Sequence, residues 1–211
     1  MNLELIKTQI EKAKALVFDF DGTLVDSNAI KQNAFAKCFF EYPKQLDAIM
    51  VYCNSYNNIP RVVKFRHVFE NILKLPYPPE VEQLMLDRYA SETTEQVIGA
   101  AEIPGAIRFL KKVASKKETA LLSSTPHEFL LRILERRGLK KYFGRIQGAP
   151  VDKKVWLENY VGSRGFSKTE VLFFGDSPED VQAATGAQVP FIGVGMRSEI
   201  QYVIASFESL L

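Results

Sequence analysis

Five short segments constrain the fold most: ALVFDF (15–20), TALLSS (119–124), GRIQGA (144–149), EVLFFG (170–175) and PFIGVG (190–195). Four of them are unbroken apolar runs rather than alternating ones. A strand reads that way when helices cover both faces of its sheet, the usual condition of a parallel sheet. The stretches between them have helical period. GAIRFLKKVASK sets Ile107, Leu110 and Val113 on one face, EFLLRILERRG repeats the pattern and stops at Gly138, and EDVQAATGA ends at Gly186. Strand-helix-strand alternation predicts an α/β fold, a Rossmann-like, doubly wound parallel sheet.

Residues 28–100 break that rhythm. AFAKCFFEY, RVVKFRHVFENILKL and PEVEQLMLDRYA are helical in period, and the breakers YNNIP and LPYPPE interrupt them. With no strand pattern in the stretch, it reads as an α-helical insert, 28–100, within a core made of 1–27 and 101–211. The junctions are expected near Ser27–Ile30 and Gly99–Pro104.

Composition narrows the class of partner. The 211 residues are 46% hydrophobic and 25% charged, and 27 basic side chains nearly cancel 25 acidic ones. That balance argues against broad binding to nucleic acid or anionic membrane. No apolar run approaches the ~20 residues of a membrane span. MNLELIKTQIEKAK carries Leu3, Ile6 and Ile10 at helical spacing among charges, unlike a signal peptide. The cytoplasm is the expected compartment. Cys38 and Cys53 lack any zinc or disulfide spacing and read as small helix or core residues. His67 and His127 are the only histidines, too few and too scattered for a histidine metal site or a Ser-His-Asp triad.

The chemistry gathers where strands end. Side chains at i and i+2 of a strand share a face about 6.7 Å apart, so Asp19 and Asp21 can flank one small group at the carboxyl end of the first strand. Open α/β sheets place ligands at that end. Gly22 permits a sharp bend there. LLSST offers Ser123 and Ser124 to a phosphate oxygen, VDKKVW offers Lys153 and Lys154 at a helix start, and FFGDSPED offers Asp176 and Asp180. Four converging carboxylates cannot all ionise without a cation. Mg²⁺ suits a site of hard oxygen ligands shared with phosphate. Taken singly, SST, GDSPED and DKK are ordinary helix caps and helix starts; the ordered set carries the reading.

FDFDGTLVDS, LLSST, the lysine of PVDKK and FFGDSPEDVQAA resemble, in order, the four motifs of the haloacid dehalogenase superfamily. Within it the chain is similar to the phosphoglycolate phosphatase-like group, whose helical cap follows the first motif. The resemblance implies Asp19 as the nucleophile that forms an aspartyl-phosphate and Asp21 as the acid/base. It implies Ser123 as the phosphate-binding hydroxyl and Lys153 as the lysine that neutralises phosphate charge. Lys154 is the adjacent alternative; with Lys153, Leu157 falls where the pattern has its apolar residue. Mg²⁺ would take Asp19, Asp176 and the Asp21 main-chain carbonyl, with Asp180 supporting it from behind.

Members that cleave carbon–halogen or phosphonate bonds lack an acid at the second aspartate. Asp21 thus points to a phosphatase acting on a small phosphorylated metabolite, a sugar phosphate or a phosphoglycolate-like molecule, as monomer or homodimer. A sugar phosphomutase and a non-catalytic phosphate-binding relative remain the alternatives. In the insert, Arg61, Lys64, Phe65 and Val68 share one helical face. This face is either a solvated basic edge beside a core stripe, or a place where Arg61 and Lys64 bind the substrate away from its phosphate.

Overall fold

The computed structural model describes residues 2–55, 59–196 and 200–211, so Tyr56–Asn58 of the breaker YNNIP lie outside the described residues. The chain divides into two compact units, Met1–Asp26 with Ala100–Leu211, and Ser27–Gly99. It begins with α1 (Asn2–Lys12) and β1 (Ala15–Phe18), then enters the second unit as α2 (Asn28–Cys38), α3 (Leu46–Ser55), α4 (Arg61–His67) and α5 (Pro79–Gly99). The first unit resumes with α6 (Ala106–Ala114), β2 (Glu118–Pro126), α7 (His127–Arg136), β3 (Arg145–Ala149) and α8 (Lys153–Arg164). It closes with β4 (Val171–Gly175), α9 (Pro178–Ala187), β5 (Phe191–Val194) and β6 (Val203–Ile204).

The strands form one sheet in the order β3-β2-β1-β4-β5-β6, and every neighbouring pair is parallel. The fold is the doubly wound α/β core with an inserted helical cap that the apolar runs predict. β1 explains why those runs are unbroken, since all four of its residues are fully buried. Ala15 and Val17 pack with Leu157, Tyr160 and Val161 of α8 and Ala183, Ala184 and Ala187 of α9. On the other face Phe18 stacks on Phe174 at 5.1 Å, with Phe109 of α6 and Phe207 against the pair. Each ring so buried is worth about 1.5–3 kcal/mol. GRIQGA is less apolar because β3 is an edge strand that leaves Arg145 exposed. The sixth strand, two residues long, is too short to announce itself in sequence.

The helical unit has its own core of Phe35, Phe39, Phe65, Phe69, Tyr77 and Tyr89, joined by Cys38, Cys53, Ile49 and Met85. RVVKFRHVFENILKL is not one regular helix. α4 passes into a π-helical turn, Val68–Leu73, which ends at Lys74 with φ 57°. Val68 and Phe69 are both buried, although adjacent residues of a regular helix point about 100° apart. Among the described residues no helix is long and apolar enough to cross a membrane.

Candidate active site

The sheet order dictates where a ligand can sit. From β1 the chain winds outward through β2 to β3, then returns to β4 on the other side of β1. The crevice beyond the carboxyl ends of β1 and β4 is therefore a topological switch point. Asp19 follows β1, the Ser123–Thr125 segment ends β2, Lys153 opens α8 just after β3, and Asp176 follows β4.

β1 itself stops at Phe18, although the Asp19 amide still donates to the Phe174 carbonyl at 2.8 Å. The chain then turns. Gly22 takes φ 78°, a left-handed value that suits glycine, and its amide donates to the Val25 carbonyl at 2.8 Å. Asp19 lies just past the last residue of β1, and Asp21 forms an isolated parallel bridge with Val25 around that turn. Both aspartates are buried, at 5% and 9% exposure.

Lys153 ties the site together. Its ammonium donates to Asp19 Oδ1 at 3.1 Å and to Asp180 Oδ1 at 2.7 Å, and its side chain is 3% exposed. Lys154 is turned away, exposed and 3.8 Å from Glu158. Asp180 is held from its other oxygen, which accepts from the Ser177 amide at 3.1 Å and the Ser177 hydroxyl at 2.7 Å. This is the capping box of α9. Gly175 makes room for it, because a Cβ at that position would lie 2.5 Å from the Asp180 Cβ.

One ammonium does not balance four carboxylates. Burial raises the Asp19 carboxyl well above the usual range; Lys153 pulls it back, while Asp180, Asp176 and Asp21 push it further up. Burial also works against the charge on Lys153, but Asp19 and Asp180 outweigh it and keep the ammonium protonated. Asp19, Asp176 and Asp180 each bring one carboxylate oxygen within 4.8 Å of the others. An all-oxygen, anionic donor set of this kind fits a hard divalent cation.

The β2 hydroxyls divide. Ser123 is buried and its Oγ accepts from the Thr125 amide at 3.1 Å. Ser124 is exposed and its hydroxyl donates to the Glu179 carboxylate at 3.2 Å. Three contacts join one motif to another in ways that their spacing does not announce: Thr23 to Asp176 at 3.3 Å, Ser124 to Glu179, and Thr125 to Asp21 Oδ2 at 2.8 Å. The alternation of Ser123 and Thr125 on one strand was the available signal for the last of these. In the helical unit, Lys64 is buried. Its ammonium donates to the Cys53 carbonyl near the end of α3 at 3.0 Å and lies 5.0 Å from the Phe35 ring centroid. The Arg61 guanidinium lies 4.6 Å from the Tyr89 ring centroid.

A carboxylate pair after β1, a tethered lysine and an acidic cluster after β4 thus gather at the carboxyl end of a Rossmann-like sheet. The family model described as haloacid dehalogenase-like hydrolase matches residues 16–194, and the chain belongs to that family. It is 28% identical over 190 residues to a phosphoglycolate phosphatase of Synechococcus elongatus, covering 87% of this chain and 83% of that one. Its fold is similar to that of a predicted phosphoglycolate phosphatase from Haemophilus somnus, with TM-score 0.74 at 16% identity, covering 94% and 96% of the two chains. A HAD-hydrolase of Bacillus subtilis, bound to magnesium, is similar at TM-score 0.73 and 20% identity, with the same coverage of each chain.

Proposed function

We propose that the protein is a Mg²⁺-dependent phosphatase that hydrolyses a small phosphate monoester, phosphoglycolate or a sugar phosphate, through an aspartyl-phosphate. The observation that carries this reading is Asp19, buried at the end of β1 and held by Lys153, with a second carboxylic acid two residues on.

Asp19 attacks phosphorus as the bond from phosphorus to the ester oxygen breaks. Asp21 gives its proton to that oxygen, and the alcohol leaves. Asp21, now a carboxylate, takes a proton from the water that attacks the aspartyl-phosphate; inorganic phosphate departs and Asp19 is regenerated. Lys153 restrains Asp19 and offers positive charge to the phosphoryl oxygens. Ser123 supplies a hydroxyl, and the exposed Ser124 supplies its backbone amide. Because the Ser124 hydroxyl already serves Glu179, its backbone is the part assigned to the substrate. The carboxylates of Asp19 and Asp176, with the Asp21 main-chain carbonyl, would hold Mg²⁺, and Asp180 would support it while fixing Lys153. Mg²⁺ so held supplies the positive charge that lets an anionic nucleophile approach an anionic phosphate.

Arg61 and Lys64, on one helix of the cap, are assigned to the remainder of the substrate. The support is their placement one turn apart on α4, Arg61 at its first residue.

The test is a panel of phosphorylated metabolites that includes 2-phosphoglycolate and hexose phosphates, assayed with Mg²⁺ for both phosphate release and isomer formation. Release of inorganic phosphate from at least one monoester, abolished by chelation, is expected. Isomer formation without phosphate release would make the protein a mutase. Turnover that survives chelation would overturn the metal assignment.

A further inference from the structure

β2 ends in three consecutive hydroxyls, and they do different things. Alternation along a strand sets Ser123 and Thr125 on one side and Ser124 on the other. Ser124 turns to Glu179. Thr125 is buried, and its hydroxyl donates to Asp21 Oδ2 at 2.8 Å. A threonine hydroxyl has one proton to donate, and here a carboxylate takes it. The backbone beneath is fixed as well, because the Thr125 amide donates to Ser123 Oγ.

The terminal torsion of an aspartate is broad and roughly two-fold. An acid/base must nonetheless present one edge to the ester oxygen in the first step and to water in the second. We propose that Thr125 is the positioning residue for Asp21: its hydroxyl holds one carboxyl oxygen and so sets the plane in which the other gives and takes the proton. The contact serves both steps. Oδ2 accepts the hydroxyl hydrogen whether or not the opposite oxygen is protonated. The proposal rests on the phosphatase reading above.

Thr125→Val is nearly isosteric and deletes only the donor; Thr125→Ser keeps it. Poor leaving groups depend on the acid and p-nitrophenolate hardly does, so the informative quantity is a ratio. This ratio is kcat/KM for an alkyl phosphate divided by kcat/KM for p-nitrophenyl phosphate. Misplacement of a catalytic group costs up to about 100-fold; Thr125→Val is expected to lower the ratio at least ~10-fold, and Thr125→Ser to restore it to within ~3-fold of the unmodified protein. Should the valine variant not fold, Thr125→Ala takes its place with the same expectation. A ratio unchanged in the hydroxyl-free variant, or lowered equally in Thr125→Ser, would overturn the assignment while leaving the phosphatase reading intact. An unmodified protein inactive on both esters would remove that reading, and this one with it.

Discussion

Lys153 serves two buried carboxylates at once, Asp19 at 3.1 Å and Asp180 at 2.7 Å, and removing each has a different expected consequence. Asp19→Asn changes almost no volume and leaves Lys153 paired with Asp180. It should abolish turnover with the thermal unfolding midpoint nearly unchanged; more than a few per cent of residual kcat would rule out the covalent mechanism. Asp180→Ala strips a fully buried ion pair of its closer partner and the α9 cap of its reciprocal bonds. Breaking a buried pair costs about 3–5 kcal/mol, and urea denaturation should show a loss of that order. Lys154→Ala, one residue from the tethered lysine and exposed, should stay within about 0.5 kcal/mol. A large loss from Lys154→Ala and none from Asp180→Ala would mean that the wrong lysine has been placed in the site.

At the scale of elements, the helices of the cap are held by an aromatic cluster in which both cysteines are sealed. Burial pushes the Cys38 thiol up to about 12 and the Cys53 thiol up to about 11. The thiolate is the reactive form, so neither should react with a disulfide reagent at pH 8 while the cap is folded. Both should react under denaturant, which makes thiol exposure a reporter of cap opening; rapid modification of the native protein would contradict the packing. The same helices carry the proposed specificity contacts. Arg61→Ala should raise KM for the natural substrate while hardly altering that for p-nitrophenyl phosphate, which offers the guanidinium nothing to hold. Equal, small effects on both would leave Arg61 a structural role beside Tyr89.

For the whole molecule, a divalent cation held by the proposed acidic cluster would couple metal to folding. Four carboxylates against one buried ammonium repel each other in the native state and far less in the unfolded chain. A cation that binds only the native state stabilises by mass action, about 2.7 kcal/mol at a hundredfold excess over Kd. Mg²⁺ should therefore raise the unfolding midpoint, and Asp176→Asn should remove most of that rise. An identical midpoint with Mg²⁺ and with a chelator would count against the site. Ca²⁺, which takes more oxygen ligands at longer distances, should bind but not support turnover.

Much of this was legible in the chain because it depends on short-range pattern. Unbroken apolar runs such as EVLFFG follow directly from burial on both sheet faces, and the strand-end positions of Asp19, Lys153 and Asp176 follow from parallel topology. GDSPED already contains both halves of its capping box. Other features needed the tertiary structure. Lys153 and Lys154 are chemically alike and adjacent in sequence; the apolar register through Leu157 favours Lys153, and only the packing of α8 shows its ammonium on Asp19 and Asp180 while Lys154 stays exposed. Lys64 was an amphipathic-face residue by spacing, and its bond to the Cys53 carbonyl depends on how α3 and α4 pack. The hydroxyl of Thr125 is one of three in a row, and 104 residues separate it from Asp21. Periodicity records which face a residue occupies, whereas partners from distant segments are chosen by the sheet order that brings β1 and β2 side by side.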